Sequence, residues 1–312
     1  MDRLSRLQRA LLEKLGDPPS ENVPLSALSS FGIGGPADLF FEARTETELE
    51  TAVSLASAER CPVYVIGGAY NMLFDDAGYR GLIVRNRLEG VEREGPRLRV
   101  RSGTGLACVL REALAAGLSG LEFLAGIPGT VGGAVFGNAG AYGWSVGDVL
   151  ETASVFTPGG GRASVARRDL AFGYRDSALK RAAGLVLSCD LLCSPGDSRE
   201  SEARIRDILE KRRAKHPPHG TACAGSYFKN ASSETGARIA AGLLLDQAGA
   251  RGRAVGDAAV SDVHCNFIVN RGNARAADVL RLAEELKDLV YRTSGIRLEE
   301  EVIYLRADAS MF

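Results

Sequence analysis

The side chains with the clearest chemical potential are few and widely spaced. Tyr174-Arg175-Asp176-Ser177 sets an arginine among aromatic and small residues. Its planar fork of donors suits a carboxylate, and a surface ion pair with Asp176 is the plainer reading. In Ala224-Gly225-Ser226-Tyr227-Phe228-Lys229-Asn230 the small residues before Ser226 leave room for a ligand, and Lys229 can polarise an anionic group. Ser226 and Lys229 also spell the Ser-x-x-Lys of acyl-serine enzymes, but the companion Ser-Asp-Asn and Lys-Thr-Gly elements are missing. A serine capping a loop is the simple alternative. Glu301 lies in Leu298–Leu305, where strand alternation puts it on the face of Ile303 and Leu305, with Val302 and Tyr304 opposite. Apolar surroundings there would desolvate the carboxylate and raise its proton affinity; a solvated strand start fits the pattern as well.

Glycine is the second signal. Gly117 to Gly147 contains ten glycines in 31 residues with no collagen-like period. Each costs roughly 0.5–1 kcal/mol against alanine in regular structure. Turns account for part of them, and close approach of backbone to a bulky flat or phosphorylated ligand accounts for the rest. Gly67-Gly68-Ala69-Tyr70-Asn71 follows the apolar run Val63–Ile66, a place where amides can converge on a phosphate, although a tight turn would look the same. Gly32-Ile33-Gly34-Gly35-Pro36-Ala37 matches the dinucleotide fingerprint formally. No buried strand precedes it and Pro36 interrupts the turn-to-helix geometry, so it is rejected as a Rossmann site.

The elements that must position these residues are legible in outline. Leu4, Leu7, Leu11, Leu12 and Leu15 mark an amphipathic N-terminal helix. Thr45 and Glu48 have capping-box spacing for a helix over about 46–60. Strands are expected at 63–66, 81–85, 97–103 and 184–193, a helix at 105–118, and a hairpin around Pro158-Gly159-Gly160-Gly161. After Ser194-Pro195-Gly196-Asp197 come a charged helix over about 198–214, an irregular stretch, and a helix near 235–248. A short strand pair around 258–270, a helix on Val279, Leu282, Leu286, Leu289 and Val290, and a strand in RLEEEVIYL complete the chain. This order predicts an α+β fold with two lobes: a lead-in over 1–30, a first domain over 31–195 and a second over 196–312.

Bulk properties narrow the function classes. A formal net charge of −1 gives no general grip on nucleic acid or anionic membrane. No apolar run approaches the roughly 20 residues of a membrane span. The N-terminus is too charged for a signal peptide, which points to the cytoplasm. Six scattered cysteines without a Cys-x-x-Cys pair form neither a disulfide framework nor a metal site. His216 and His219 in KHPPHG read as a solvated connector.

GLSGLEFLAGIPGTVGGAVFGNAGAYG resembles the flavin-binding signature of the UDP-N-acetylenolpyruvoylglucosamine reductase family. FGIGGPADLF, IGGAYNMLFDD, FGYRDS, AGSYFKN, VSDVHCNFIVN and GIRLEEEV follow that family's order, so the resemblance spans nearly the whole chain. It implies an FAD-binding domain of the vanillyl-alcohol-oxidase (PCMH) type followed by a smaller α+β substrate-binding lobe, in the shorter class without a tyrosine-loop insertion. It further implies an NADPH-dependent flavoprotein oxidoreductase that reduces UDP-N-acetylglucosamine enolpyruvate in peptidoglycan synthesis, and so in cell-wall biogenesis, cell shape and division. By this resemblance Arg175 and Glu301 are catalytic and Ser226 is the proton donor, while Tyr174, Lys229 and Asn230 touch substrate. FAD would lie against Gly67, Gly68, Asn71, Met72, Gly126, Ile127, Pro128, Gly129, Thr130, Gly132, Gly133, Asn138, Ala139, Gly140 and Ala141. No metal, membrane span, nucleic acid or obligate protein partner is implied. Two rivals on the same scaffold are a different FAD oxidoreductase and a flavin-free binding homologue altered at Ala69-Tyr70.

Overall fold

The computed structural model describes residues 2–182, 184–232, 236–309 and 311. The N-terminal helix α1 (Arg3–Leu15) is capped by Asp2, whose carboxylate accepts the Ser5 N–H, and ends at Gly16 in the left-handed conformation. Leu7 and Leu11 are buried, but Leu12 is 47% exposed. The stripe is therefore narrower than the five leucines implied, because position 12 lies a hundred degrees round from 11. Strand β1 (Ser20–Pro24) pairs antiparallel with β2 (Pro36–Ala43). Helix α2 (Glu46–Ala58) starts at the expected capping box, with Thr45 and Glu48 bonding reciprocally. It leads to β3 (Val63–Ile66), then β4 (Met72–Phe74) and β5 (Tyr79–Asn86). The first sheet has the order β1-β2-β5-β3, with β5 parallel to both β2 and β3. The segment 32–35 thus runs into a strand and not into a helix, which agrees with its rejection as a dinucleotide turn.

A second, antiparallel sheet follows. It contains β6 (Val91–Glu94), β7 (Arg97–Arg101), β8 (Leu150–Thr157), β9 (Gly161–Ala166) and β10 (Leu185–Leu192), in the order β9-β8-β10-β7-β6. The β8–β9 hairpin closes at Thr157↔Gly161, where proline and glycine predicted it. Helices α3 (Leu106–Ala115) and α4 (Val131–Phe136) contribute to an apolar cluster with the strands, including Leu98, Val109, Val131, Val135, Ala153 and Cys189. Burying each such aliphatic side chain is worth roughly 1.5–3 kcal/mol.

Helix α5 (Ser198–Lys215) comes next, then α6 (Ala241–Gln247). The expected helix near 235–248 is therefore shorter and later; residues 233–235 lie outside the described residues. Asn230 Oδ1 accepts the Ala241 N–H at 3.1 Å, which fixes the late start. Strands β11 (Ala258–Val260) and β12 (Ile268–Asn270) pair antiparallel. Helix α7 (Ala276–Ser294) buries Val279, Leu282, Ala283, Leu286 and Val290 in a cluster that also takes Phe31, Ile33 and Leu73 from the first lobe.

The final strand departs from expectation. Only β13 (Ile303–Leu305) is regular, and it pairs parallel with β4, Ile303 opposite Met72. Residues 299–301 instead run beside 227–229: Lys229 N–H donates to the Glu299 carbonyl and Glu301 N–H to the Tyr227 carbonyl, both at 2.8 Å. The expected eight-residue strand fails because the chain changes partner at Val302, so simple alternation does not place Glu301.

Candidate active site

The two glycine segments meet. A Cβ on Gly67 would stand 2.3 Å from Thr130 Oγ1, so the loop after β3 and the segment before α4 approach closely only because residue 67 has no side chain. Gly126 (φ +71°) and Gly129 (φ +140°) both need backbone that side chains disfavour. Around them Ile127 packs on the core beside Pro128, while the Val131 and Gly132 amides donate to Thr104 and Ser102 carbonyls at 2.9 and 2.7 Å. Those two amides anchor the segment. Gly133 is uncrowded, with Thr130 Oγ1 its nearest neighbour at 3.7 Å. Asn138 (φ +44°) accepts the Gly147 N–H through Oδ1 and donates Nδ2 to the Gly173 carbonyl, joining this region to the Arg175 turn. Ala139 packs on the core beneath, and Gly140-Ala141 forms a small ladder with Trp144-Ser145.

The loop 67–71 carries its own peculiarity. Ala69 sits at φ +50°, a conformation that glycine takes more readily, and the Tyr70 ring lies within 2.4 Å of where a Gly68 Cβ would be. Asn71 Nδ2 donates to the Glu301 carbonyl at 3.0 Å, and the Asn71 carbonyl accepts the Ile303 N–H. Met72 is buried in β4 beside Ile303. These two residues therefore tie the glycine loop to the chain segment bearing Glu301.

Arg175 and Glu301 form the centre. Arg175 Nε lies 2.7 Å from Glu301 Oε1, and Nη1 donates to the Gly140 carbonyl at 2.9 Å. The buried Nε has no aligned hydrogen bond, so it touches the Glu301 carboxyl group with its N–H aimed off the oxygen. Asp176, the alternative partner, pairs instead with Arg181 at 2.6 Å. Burial raises the Glu301 pKa above the ordinary carboxylate range against the opposing pull of Arg175, Lys180 and Lys229.

Ser226 precedes the Tyr227 whose carbonyl accepts the Glu301 N–H, so backbone pairing sets it one residue from the segment that holds Glu301. Its hydroxyl makes no hydrogen bond among the described residues. The segment is held by buried Asn266, which accepts the Phe228 N–H at 2.9 Å and donates to the Phe228 carbonyl at 2.8 Å. Lys229 Nζ pairs with Glu299 at 3.2 Å. Asn230 donates its N–H to Tyr174 Oη at 3.2 Å while its side chain caps α6. The Arg238 guanidinium stacks 3.8 Å over the Tyr174 ring.

Three contributors escaped the sequence reading. Asn266 lies inside a quoted motif, but nothing in one sequence marks it as a clamp. Lys180 Nζ donates to the Arg175 carbonyl at 2.6 Å. Arg212, near the end of α5, places Cδ 2.8 Å from a Gly126 Cβ position and its guanidinium 5.8 Å from the Tyr142 ring. Its Nε is buried without an acceptor, and burial lowers its pKa. The KHPPHG reading needs correction too: His219 is exposed, but His216 packs 5.2 Å from Phe267 and 5.8 Å from His264, and burial lowers its pKa to about 4. The extended backbone at the end of α5 turns that ring inward.

These features fit a dinucleotide flavin. A bare-backbone cradle closes at Gly67–Thr130, and an orphaned buried guanidinium nitrogen beside Gly126 seeks an anionic acceptor. Among the described residues no helix is long and apolar enough to cross a membrane, and no cluster of three or more potential metal ligands occurs.

Comparison with known proteins agrees. An FAD binding domain profile matches residues 37–165, and the profile of the UDP-N-acetylenolpyruvoylglucosamine reductase C-terminal domain matches 217–305. The chain is 41% identical over 290 residues to the UDP-N-acetylenolpyruvoylglucosamine reductase of Geotalea uraniireducens, covering 92% of this chain and 94% of that protein. It is 38% identical to that of Solibacter usitatus, covering 92% and 96%. The crystal structure of UDP-N-acetylenolpyruvylglucosamine reductase (MurB) from Thermus caldophilus superposes with a TM-score of 0.77 at 35% identity, covering 90% of this chain and 97% of that one. An FAD-binding domain, a matching C-terminal domain and relatives alike along almost their full length leave one conclusion: the chain belongs to the UDP-N-acetylenolpyruvoylglucosamine reductase family of flavoenzymes.

Proposed function

We infer that the chain reduces the vinyl ether of UDP-N-acetylglucosamine enolpyruvate to UDP-N-acetylmuramate with NADPH, in peptidoglycan synthesis. The observation that carries the mechanism is the Arg175–Glu301 contact at 2.7 Å, built where the glycine cradle, the Arg175 turn and the Ser226 segment converge. FAD fits the backbone of 67–71 and 126–141, and the chemistry it supplies when bound is relay of hydride from NADPH to the terminal carbon of the enolpyruvyl group.

The chain's own residues manage the charge and the proton. Hydride addition leaves negative charge on the carboxylate-bearing carbon, which spreads into the carboxylate as an enolate. Arg175, steadied by Gly140, presents fixed positive charge to it, and preorganised charge of this kind strengthens as the transition state forms. Glu301, with its raised pKa, retains a proton closer to neutrality and donates it as a hydrogen bond to the same enolate. Ser226 Oγ–H protonates the carbon, and the resulting alkoxide recovers its proton from water. A serine hydroxyl is a weak acid, so this step relies on the positive charge that Arg175 and Lys229 bring to the neighbourhood of Glu301. Tyr174, Lys229 and Asn230 border the substrate side. Two lobes dividing near residue 195 suit this arrangement: the first carries the cradle, the second brings Ser226 and Glu301 over it. NADPH and a nucleotide sugar are cytoplasmic metabolites, and we place the reaction there.

Incubation of the purified, flavin-loaded protein with NADPH and the enolpyruvyl sugar nucleotide should consume one NADPH per UDP-N-acetylmuramate formed, identified by mass. NADPH oxidation that depends on oxygen and not on the sugar nucleotide would point to the other flavin oxidoreductase.

A further inference from the structure

Arg175 occupies a backbone conformation, φ +54°, that residues with a side chain rarely adopt. Such a residue costs about 1–2 kcal/mol relative to the right-handed form and persists only where its surroundings over-determine it. The turn around it is closed by two backbone hydrogen bonds, Gly173 N–H to the Asp176 carbonyl at 2.9 Å and the reverse at 3.3 Å. Ser177 Oγ pins the turn's far side to the Phe136 carbonyl at 2.7 Å. Asn138 Nδ2 holds the Gly173 carbonyl at the turn's start at 2.7 Å, and a further side chain acts on residue 175 itself. Lys180 Nζ donates to the Arg175 carbonyl at 2.6 Å and stands 5.8 Å from the centre of the Phe136 ring. Its contacts are unusual for a lysine: among the described residues no carboxylate lies within ion-pair distance of it, and its ammonium is directed at one peptide oxygen and one aromatic face.

We propose that Lys180 is a positioning residue for the reduction step: its ammonium clamps the Arg175 carbonyl and locks the left-handed turn that aims the Arg175 guanidinium at Gly140 and Glu301. The lock suits its neighbours. Relaxing residue 175 to a right-handed φ would swing the side chain from the Gly140 carbonyl, because the backbone rotation acts at the root of a long lever. The positive charge of Lys180 also favours the ionised form of Glu301, so the same residue trims the proton affinity of the acid beside Arg175. This inference rests on the reading that Arg175 stabilises the enolate.

The test uses flavin-loaded wild type, Lys180→Met and Lys180→Arg in anaerobic half-reactions. In Lys180→Met, flavin content and reduction by NADPH should match wild type. Reoxidation by saturating enolpyruvyl substrate should slow about 10–100-fold, the scale of a misplaced catalytic group. The fall in rate expected on the alkaline side as Glu301 loses its proton should move to higher pH, because a cation that favours the carboxylate is gone. Lys180→Arg, which keeps the charge and the donors, should recover the rate to within about threefold. A crystal structure of Lys180→Met should show Arg175 relaxed from positive φ and parted from Gly140. Unchanged reoxidation in Lys180→Met, or equal slowing of both half-reactions with no rescue by arginine, overturns the proposal. If wild type itself is not reoxidised by the sugar nucleotide, the reaction assignment has failed, and the conformation of Arg175 in the Lys180→Met crystal alone decides the positioning claim.

Discussion

The cradle and the charged centre are built on opposite principles. Along 67–71 and 126–133 the proposed FAD surface is mostly main chain, and at its closest point a side chain is excluded: Gly67 must be bare for Thr130 to approach. Around Arg175 and Glu301 the charged side chains carry the proposed chemistry, and hydrogen bonds from distant segments hold them: the Gly140 carbonyl accepts from Arg175, the Tyr227 carbonyl accepts the Glu301 N–H, and Asn71 Nδ2 donates to the Glu301 carbonyl. The first design is robust to the identity of neighbours and sensitive to added bulk. The second should depend on its charges more than on the space around them.

The difference can be broken from either side, and the largest effect should come from the charged centre. Arg175→Met removes the fixed cation and should slow reoxidation by the enolpyruvyl substrate about 10²–10³-fold, while flavin content and reduction by NADPH stay near wild type in stopped-flow. A comparable loss in both half-reactions would mean that the two regions are not separable.

Gly67→Ala attacks the cradle. The new Cβ meets Thr130 Oγ1, an overpacking of about 1–3 kcal/mol that should weaken FAD binding roughly 5–150-fold. Thr130→Ala in the same chain should restore part of it. Flavin titration followed by fluorescence reads both; unaltered affinity in Gly67→Ala would show that the cofactor does not require this approach.

Glu301→Gln sharpens the role of protonation. Because burial raises the Glu301 pKa in the folded enzyme, the donating form is present at low pH and is lost as pH rises through that raised value. Wild-type turnover should therefore fall on the alkaline side. The glutamine variant, a neutral donor at every pH, should be slower but lack that limb. A limb that survives the substitution belongs to another group.

The smallest effect is expected at Ala69→Gly. Relief of a left-handed Cβ, partly offset by the greater freedom of unfolded glycine, should raise Tm by at most about 2 °C. FAD affinity should be equal or higher, and a clear loss of Tm would show that the Ala69 methyl contributes packing that outweighs its strain.

What the sequence disclosed follows the same division. Glycine density announces a backbone surface wherever it occurs, so the cradle was legible from composition and order. Arg175, Ser226 and Glu301 were picked out largely by resemblance, and the local argument for Glu301 foresaw its desolvation and raised proton affinity but not the segment that causes them. Its environment is set by Tyr227, which lies 74 positions away, not by alternation within its own segment. The same blindness hides partners across the lobes. The carboxylate of Asp76 accepts the N–H groups of Ala276 and Ala277 at 2.7 and 3.1 Å, capping α7 where its own Arg275 offers no side-chain acceptor. Lys180 reads as an ordinary surface lysine, and only the fold shows its nitrogen on the Arg175 carbonyl.

The most direct test of the account separates hydride entry from proton delivery in Ser226→Ala. Reduced anaerobically with NADPH, this variant should lose its visible flavin absorbance as fast as wild type. On adding the enolpyruvyl sugar nucleotide it should regain the absorbance far more slowly, by about 10²–10⁴-fold. Recovery at the wild-type rate would remove Ser226 as the proton source, and with it the claim that the second lobe completes the chemistry begun over the glycine cradle.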